Sequence, residues 1–513
     1  MFSMRRCGIV CLPGILLLIL LGANFSRAAD ASPEVKIDSG ILLGTSNGSI
    51  DTFKGIPYAK PPIGPLRWRP PQTVDRWVGV RSSAEFGAAC PQTNPPELAN
   101  GERPPTSEDC LTLNVWTPSH RDHLLPVMFW IHGGGNTQGS SSHRYYDGSA
   151  FARDGVVLVS INYRLGLLGF FAHPALTKEA GANAPLANYG LMDQIAALDW
   201  VHRNIQVFGG DPGKVTIFGE SAGGQDVLCL MTAPSASGLF ARAIAESPGL
   251  VLFAPTLAVA EDFGAKTVTS LGLGANATAA QLRDIPARDL VKQDFIAGGP
   301  IIDGRFLPQS PKVAFAAHQG LHIPLIIGTN SNEGSLMDPN HAAKWLLNGF
   351  TSDEVKQAHA LYGTSDETTI DRELFRDIIF AAPVRWIARQ IAETGQPVYV
   401  YRFSYIRQRQ VGRMVGAPHG SEIPYVFDTW WQSPTGGAFL ADANRAEAHL
   451  MHACWISFAL TGTPHCPAAP TWPEYNAKEG QVLEFGQETA VRSHFDQAML
   501  DLVEPHAINP ASR

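Results

Sequence analysis

The sequence predicts an α/β fold with a mostly parallel central sheet, helices on both faces and large helical cap insertions. Residues 124–131 and 156–161 are nearly continuous apolar runs, which is typical of strands covered by helices on both faces. Residues 191–201 carry apolar side chains at helical spacing, and residues 215–218 form a further β-branched and apolar run. A strand, a crossover helix and a second strand in this order indicate a parallel sheet.

Shorter elements complete the predicted sheet. Asp211, Pro212 and Gly213 predict a turn into the strand at residues 215–218. Polar helical stretches at residues 258–290 and 352–393 predict a cap. Further strands are predicted at residues 35–37, 41–43, 49–53, 323–327 and 398–403, the first three in an antiparallel arrangement. Because no repeat or linker divides the chain, residues 29–513 are predicted to form one domain.

The composition argues against a nucleic-acid-binding protein and a disordered protein. With 39 basic and 47 acidic residues the formal net charge is −8, and no run of like charges suggests a nucleic-acid-binding arm. The chain is 45% hydrophobic and 17% charged, which excludes a disordered protein and allows a large core.

The first 28 residues are predicted to be a secretory signal peptide. Arg5 and Arg6 precede an apolar stretch at residues 9–21, and small residues follow near Ala28. The alternative is a membrane anchor, but 13 apolar residues interrupted by Pro13 are short for a span. We therefore expect a secreted or periplasmic protein without stable membrane insertion after cleavage.

Cysteine usage fits an oxidising compartment. Of seven cysteines, Cys7 and Cys11 lie in the signal peptide, which leaves an odd number in the mature chain. Cys90 and Cys110 flank a proline-rich polar loop and are the plausible disulfide pair, whereas the pairing of Cys454 with Cys466 stays open. Cys229, in an apolar helical segment, is interpreted as a buried thiol.

The pattern G-x-S-x-G occurs twice, at Gly44–Gly48 and around Ser221. With 49 glycines in 513 residues, roughly 0.3 matches are expected by chance, so the pattern alone proves little. The first match lies between two β-like segments and predicts a hairpin turn. Only Ser221 follows a predicted strand and precedes a helix, which is the context of a nucleophile at a sharp turn.

Three further features fit a serine nucleophile, which needs a base, an acid that holds the base, and donors for an oxyanion. His132 and three glycines follow a predicted buried strand, where backbone N–H groups can converge. Glu333 lies just past the strand at residues 323–327, although an exposed loop glutamate is the commoner outcome there. Among 16 histidines, His419 lies in a loop bordered by proline and glycine after a strand.

The chain resembles the type-B carboxylesterases, the family of cholinesterases and bacterial carboxylesterases. Their α/β-hydrolase fold has the triad order serine, acid, histidine. The motifs that carry the resemblance run across nearly the whole mature chain: FKGIPYA at residues 53–59, EDCLTLNV at 108–115, the glycine triplet at 133–135, NYGLMDQ at 188–194, FGGDP at 208–212 and the Ser221 pattern.

The resemblance implies specific roles. Ser221 would be the nucleophile, Glu333 the triad acid and His419 the base. The remaining implied roles are an oxyanion hole formed by the N–H groups of Gly134, Gly135 and Ala222, a disulfide between Cys90 and Cys110, an orienting role for Ser247 near the histidine, and support of the turn by Glu220.

Two departures from the family pattern leave the acyl pocket undefined. Asn136 follows the glycine triplet where many relatives carry an aromatic residue, and Gln225 and Asp226 replace small residues after Ser221. The aromatic side chains of Phe427, Trp430 and Trp431 would line the substrate gorge or simply pack in the cap.

The sequence therefore predicts a secreted serine esterase that acts on small-molecule esters through an acyl-enzyme and needs no cofactor or metal. His449 and His452 are three apart on a predicted helix and would hold a metal only if other ligands joined them. The alternatives are a catalytically silent binding module, a lipase acting at oil interfaces, or an amidase with the same triad. The sequence leaves the acyl chain length and the oligomeric state open.

Overall fold

The structure is a computed structural model. The signal peptide predicted at residues 1–28 and Trp431 lie outside the residues that it describes. Those are residues 32–249, 252, 254–274, 276–293, 299–337, 346, 349–430 and 442–508. Residues Ser32–Arg513 cluster as one compact unit.

Strands form one large sheet and one small sheet. Their bounds are β1 Glu34–Ile37, β2 Gly40–Leu43, β3 Thr45–Ser46, β4 Ile50–Pro57, β5 Val80–Ser82, β6 Thr112–Pro118, β7 Leu125–Ile131, β8 Val157–Ile161, β9 Gly210–Glu220, β10 Arg242–Glu246, β11 Leu325–Asn330, β12 Val398–Phe403, β13 Val482–Phe485 and β14 Ala490–Arg492. The large sheet has the order β14-β13-β12-β11-β10-β9-β7-β8-β6-β4-β3, and β1, β2 and β5 form the small one.

The centre of the large sheet is parallel, as predicted. Strands β8, β7, β9, β10, β11, β12 and β13 pair in parallel, and both edges are antiparallel. Thr45 pairs with Thr52 and Ser46 with Asp51, so the first G-x-S-x-G match is part of a hairpin, as predicted.

Helices cover both faces of the large sheet. They are α1 Ser149–Arg153, α2 Gly166–Gly169, α3 Pro174–Ala180, α4 Tyr189–Asn204, α5 Ala222–Thr232, α6 Leu257–Ser270, α7 Ala279–Arg283, α8 Ala287–Leu290, α9 Pro311–Ala316, α10 Ser352–Tyr362, α11 Glu367–Phe375, α12 Ala382–Ala392, α13 Ile423–Val426, α14 Asp442–Thr461 and α15 Gln497–Ile508. A π-helical turn, Arg376–Ala381, connects α11 to α12.

Strand β7 shows why a nearly continuous apolar run forms here. Val127, Phe129 and Ile131 pack into the core on one face of the sheet. Met128 and Trp130 pack into a separate core on the other face. Because successive side chains of a strand point to opposite faces, a strand buried on both faces needs apolar residues at every position.

The predicted turn at residues 211–213 is wrong, and several strands have no clear signal in the sequence. Asp211, Pro212 and Gly213 do not turn the chain into a new strand but lie within β9. Leu125 of β7 pairs with Gly210 whereas Val127 pairs with Val215, so the residues between loop out as a bulge. Strands β6, β10, β13 and β14 and the π-helical turn were not predicted, because their short mixed sequences lack a clear period.

Both candidate disulfides are present. Cys90 is bonded to Cys110 and Cys454 to Cys466, while Cys229 is a free thiol buried in the core, where desolvation raises its pKa. Within the part of the chain that the structure describes, every helix is too short or too polar to cross a membrane.

Candidate active site

Ser221 lies at the junction between β9 and α5. Its φ of 57° and ψ of −121° are strained for a residue with a side chain. Its N–H donates to the carbonyl of Glu246 at 2.8 Å, and its own carbonyl accepts from the N–H of Gln225 at 2.9 Å. The strand and the helix therefore hold the serine in a conformation that it would not adopt alone.

Two glycines allow this turn to pack against the end of β7. A Cβ atom on Gly223 would lie 2.1 Å from the carbonyl oxygen of Ile131. On Gly219 it would lie 2.6 Å from the carbonyl carbon of Gly223. Since real Cβ atoms do not approach other atoms so closely, only glycine fits at these positions, and the motif follows from packing.

The loop after β7, residues 132–139, begins in contact with this turn, and we call it the glycine loop. A Cβ atom on Gly133 would lie 3.0 Å from the Cβ of Ser221 and 2.5 Å from the carbonyl oxygen of Glu220. Gly134 and Gly135 follow with φ values of 107° and 64°, which favour glycine. The structure thus brings the loop that carries two of the predicted oxyanion donors to Ser221.

The third predicted donor is the N–H of Ala222, the first residue of α5. The first N–H groups of a helix have no acceptor within the helix, and the helix dipole makes this end attractive to negative charge.

The side chain of Gln92, near the disulfide between Cys90 and Cys110, binds the C-terminal end of the glycine loop at Gly139. Gln92, two residues after Cys90, donates from Nε2 to the carbonyl of Gly139 at 2.7 Å. Its Oε1 accepts from the N–H of Gly139 at 2.8 Å.

Glu333 and His419 form a close pair. His419 Nδ1 lies 2.5 Å from Glu333 Oε2. The other oxygen of Glu333 accepts two hydrogen bonds of 2.7 Å, from Ser247 Oγ and from the N–H of Asn330. Glu333 is fully buried, although a glutamate in a loop is more often exposed. Both oxygens of its carboxylate have hydrogen-bond partners.

Glu220 lies on the other side of the imidazole. Its Oε1 is 3.1 Å from His419 Nε2, and both side chains are about nine-tenths buried or more. Burial opposes the charged form of His419, but the negative charges of Glu220 and Glu333 outweigh it and raise the histidine pKa. Desolvation likewise raises the pKa of Glu220 to about 7. The site therefore stabilises an imidazolium.

Three neighbours of this site were not predicted as functional residues. Glu422 accepts a hydrogen bond from Asn330 Nδ2, and Glu246 accepts one from Trp455 Nε1 at 2.8 Å. Desolvation raises the pKa of both carboxyl groups, that of Glu422 to about 8. The ring of Phe380, in the π-helical turn, lies 5.2 Å from the ring of His419. Glu246 directly precedes Ser247 and Glu422 lies three residues after His419, but no spacing rule marks either acid.

Several other candidates have structural roles. Phe427 is fully buried and packs against Trp130 at 4.9 Å, and Trp430 bonds to Asp428. His449 and His452 face Asp428 and Asp154, respectively, rather than a shared point. Among the described residues, no group of three or more histidine, cysteine or acidic side chains could hold a metal ion.

Comparisons with known proteins identify the family of the chain. The model of the carboxylesterase family matches residues 31–362 and 364–503. The chain is 37% identical over 495 residues to the fumonisin B1 esterase of Sphingopyxis macrogoltabida, covering 91% of this chain and 90% of that protein. It is 34% identical over 483 residues to the para-nitrobenzyl esterase of Bacillus subtilis strain 168, covering 88% and 95%.

Solved structures give the same result. A PNB esterase matches with a TM-score of 0.80 at 32% identity, covering 94% of this chain and 100% of that one. The expected α/β-hydrolase fold is confirmed by this match and by the parallel sheet with its helices. The chain belongs to the carboxylesterase family and is a carboxylic ester hydrolase of the type-B group.

Proposed function

We propose that the chain hydrolyses esters through an acyl-enzyme on Ser221, with His419 as the base and Glu333 as the acid that holds it. The observation that carries the proposal is the 2.5 Å contact between His419 Nδ1 and the buried Glu333 carboxylate. Nε2 of the same imidazole lies 3.1 Å from Oε1 of Glu220, the residue before the strained Ser221. With Nδ1–H directed at Glu333, the neutral imidazole has its lone pair on Nε2, where a base needs it.

The reaction then proceeds in two halves. Nε2 of His419 takes the proton of Ser221 as Oγ forms a bond to the ester carbonyl carbon, and the carbonyl oxygen becomes an oxyanion. The tetrahedral intermediate collapses, and the alcohol leaves with the proton from Nε2. Water then attacks the acyl-enzyme with the same proton transfers, which releases the carboxylic acid and restores the serine.

Backbone N–H groups of Gly134, Gly135 and Ala222 would stabilise the oxyanion in both halves. Support comes from the contact of the glycine loop with Ser221 and from the position of Ala222 at the N-terminus of α5. Preorganised donors of this kind are each worth on the order of 10²–10³ in kcat.

Secretion is part of the proposal. The basic and apolar segments of the first 28 residues support it, and two disulfides in the mature chain fit an oxidising compartment. Detection of a mature chain that starts near residue 29 in the medium or periplasm would test it, and an uncleaved chain in the cytoplasm would contradict it.

The substrate class is a small-molecule carboxylic ester, in line with the esterase names of the relatives. The test is hydrolysis of p-nitrophenyl esters with two, four, eight and twelve acyl carbons, comparing wild type with Ser221→Ala. We expect a burst of p-nitrophenol in the wild type and loss of turnover in the variant. Equal rates for both proteins would refute the acyl-enzyme, and inactivity of both on every ester would favour a binding module.

A further inference from the structure

A buried acid lies on α5, five residues after Ser221. Asp226 has no exposed surface. Its Oδ1 accepts a hydrogen bond of 3.1 Å from Asn136 Nδ2, and its Oδ2 accepts one of 2.6 Å from Gln194 Nε2 on α4. Asn136 is the residue directly after the oxyanion glycines, so this hydrogen bond joins the two elements that carry the proposed donors.

The bonding of Asp226 is unusual for a buried carboxyl group. Both donors are neutral amides, and desolvation raises the pKa of the acid to about 7. Burial of a carboxyl group without a cation costs stability, and an apolar side chain would avoid that cost. The group is therefore better explained by what it holds in place than by its contribution to stability.

Asn136 is fixed through its backbone and through both ends of its amide. Its φ is 56°, which continues the left-handed conformation of Gly135. Its carbonyl accepts from the N–H of Gly166 at 2.6 Å. Its Oδ1 accepts from the hydroxyl of Tyr163 at 3.1 Å, while its Nδ2 points to Asp226.

Tyr163 connects the two ends of the same loop. Its hydroxyl lies 2.7 Å from the carbonyl oxygen of His132, before the glycines, and 3.1 Å from Asn136 Oδ1, after them. The rings of Tyr163 and His132 stack at 4.6 Å. The loop is thus clamped at both ends, and Asp226 ties its far end to α5.

We propose that Asn136 and Asp226 are positioning residues that set the separation between the Gly134 and Gly135 donors and the Ala222 donor. This inference rests on the proposed oxyanion hole. Donors must lie about 2.7–3.1 Å from the oxyanion to be effective, and here they come from two separate elements. A hydrogen bond between those elements keeps all three directed at one point.

The test uses Asn136→Gly and Asp226→Ala. Glycine keeps the left-handed backbone at position 136, so only the side-chain hydrogen bonds to Asp226 and from Tyr163 are lost. Because the donors act on the transition state, kcat should fall by about 10- to 100-fold, less than for loss of a whole donor, while KM changes less than about threefold. Rates are expressed per active site, counted from the p-nitrophenol burst, so misfolded protein does not contribute.

A transition-state analogue separates positioning from general damage. A trifluoromethyl ketone forms an oxyanion when Ser221 adds to it, so its affinity should fall by the same factor as kcat. The double variant should be no slower than the slower single variant, because both substitutions remove the same hydrogen bond between the loop and α5. Asp226→Asn keeps an oxygen acceptor for Asn136 and should restore kcat to within about threefold of wild type.

Gln194→Ala is the matched control, since it removes the other hydrogen bond of Asp226 and leaves Asn136 in place. We expect a lower Tm with kcat retained. The inference is overturned if Asn136→Gly leaves kcat and analogue affinity unchanged, or if Gln194→Ala slows turnover equally. Neither result touches the proposed function, which fails if Ser221→Ala stays active or if the wild type is inactive on every ester. If Asp226→Ala does not fold, Asn136→Gly alone decides.

Discussion

The imidazole of His419 lies between the carboxylates of Glu333 and of Glu220, the residue before Ser221. The glycine loop and α5, the helix after Ser221, meet instead through neutral groups. We call these the acid side (Glu220, Glu333 and His419) and the oxyanion side (Gly133, Asn136 and Asp226). The acid side is held by charge and short hydrogen bonds. The oxyanion side is held by backbone conformation, close packing and amides.

The difference follows from the chemistry that each side is proposed to perform. A base that becomes positive in the transition state is stabilised by nearby negative charge. An oxyanion would be destabilised by the same charge, so it needs dipoles instead. Asp226 fits this rule, because a raised pKa lowers its negative charge near the oxyanion side.

The largest effect is expected from Glu333→Gln on the acid side. An amide of the same shape cannot stabilise the imidazolium and favours the wrong tautomer, so kcat should fall by about 10⁴-fold. Steady-state hydrolysis of p-nitrophenyl butyrate measures the effect, with the exposed Glu488→Gln as the control that should leave the rate unchanged. A loss below about tenfold would show that charge does not hold the acid side.

The next effect is expected from Gly133→Ala on the oxyanion side. The added methyl group would press on Ser221 and on the carbonyl of Glu220, which displaces the donors. We expect kcat to fall on the order of 10²–10³-fold, as when an oxyanion donor is removed. Gly274→Ala is the control, because among the described residues no atom beyond the neighbours in the chain lies within 4 Å of the new methyl group. Equal rates for the two variants would argue against close packing as the constraint.

Asp226→Asn tests the cost of the buried acid on the oxyanion side. The pKa of about 7 in the folded protein exceeds the ordinary aspartate value of 3.8, so the native state binds the proton more tightly. Stability therefore falls as the pH rises from about 4 to 7. Between pH 5 and pH 8 the wild type should lose on the order of 2–3 kcal/mol more than the variant. Urea unfolding at both pH values measures this, and parallel losses would contradict it.

The smallest effect is expected from Glu220→Gln on the acid side. Removal of this charge lowers the pKa of His419, so the neutral base is present at lower pH. The acid limb of the kcat/KM profile should move down by about one pH unit. An unmoved limb would assign the raised pKa of His419 to Glu333 and Glu422. Asp501→Asn, on the surface of α15, should leave the profile unchanged.

Sequence patterns predicted much of this architecture because they describe local constraints. The buried strands follow from apolar runs. The sharp turn at Ser221 follows from its glycines, which lie between a strand and a helix. The pairing of Glu333 with His419 needed the resemblance to a family, because the two residues are 86 positions apart and a loop acid is usually exposed.

The hydrogen bond that holds the oxyanion side could not be predicted from the sequence. Asn136 and Asp226 each stood out as a separate departure from the family pattern, yet they are 90 positions apart and bond to each other. No period or motif encodes a contact between a loop and a helix that meet only in the folded chain. The bulge in β9 was missed for the same reason, since the pairing partner in β7 defines it.

The disulfide between Cys90 and Cys110 also affects the glycine loop, outside the segment that it closes. Gln92, two residues from one sulfur, holds both backbone groups of Gly139 at the end of the glycine loop. Reduction would release the segment that carries this glutamine, and the loop would lose an anchor although every residue beside Ser221 is intact. We therefore expect chains made in a reducing cytoplasm to fold yet to turn over slowly until the disulfide is oxidised.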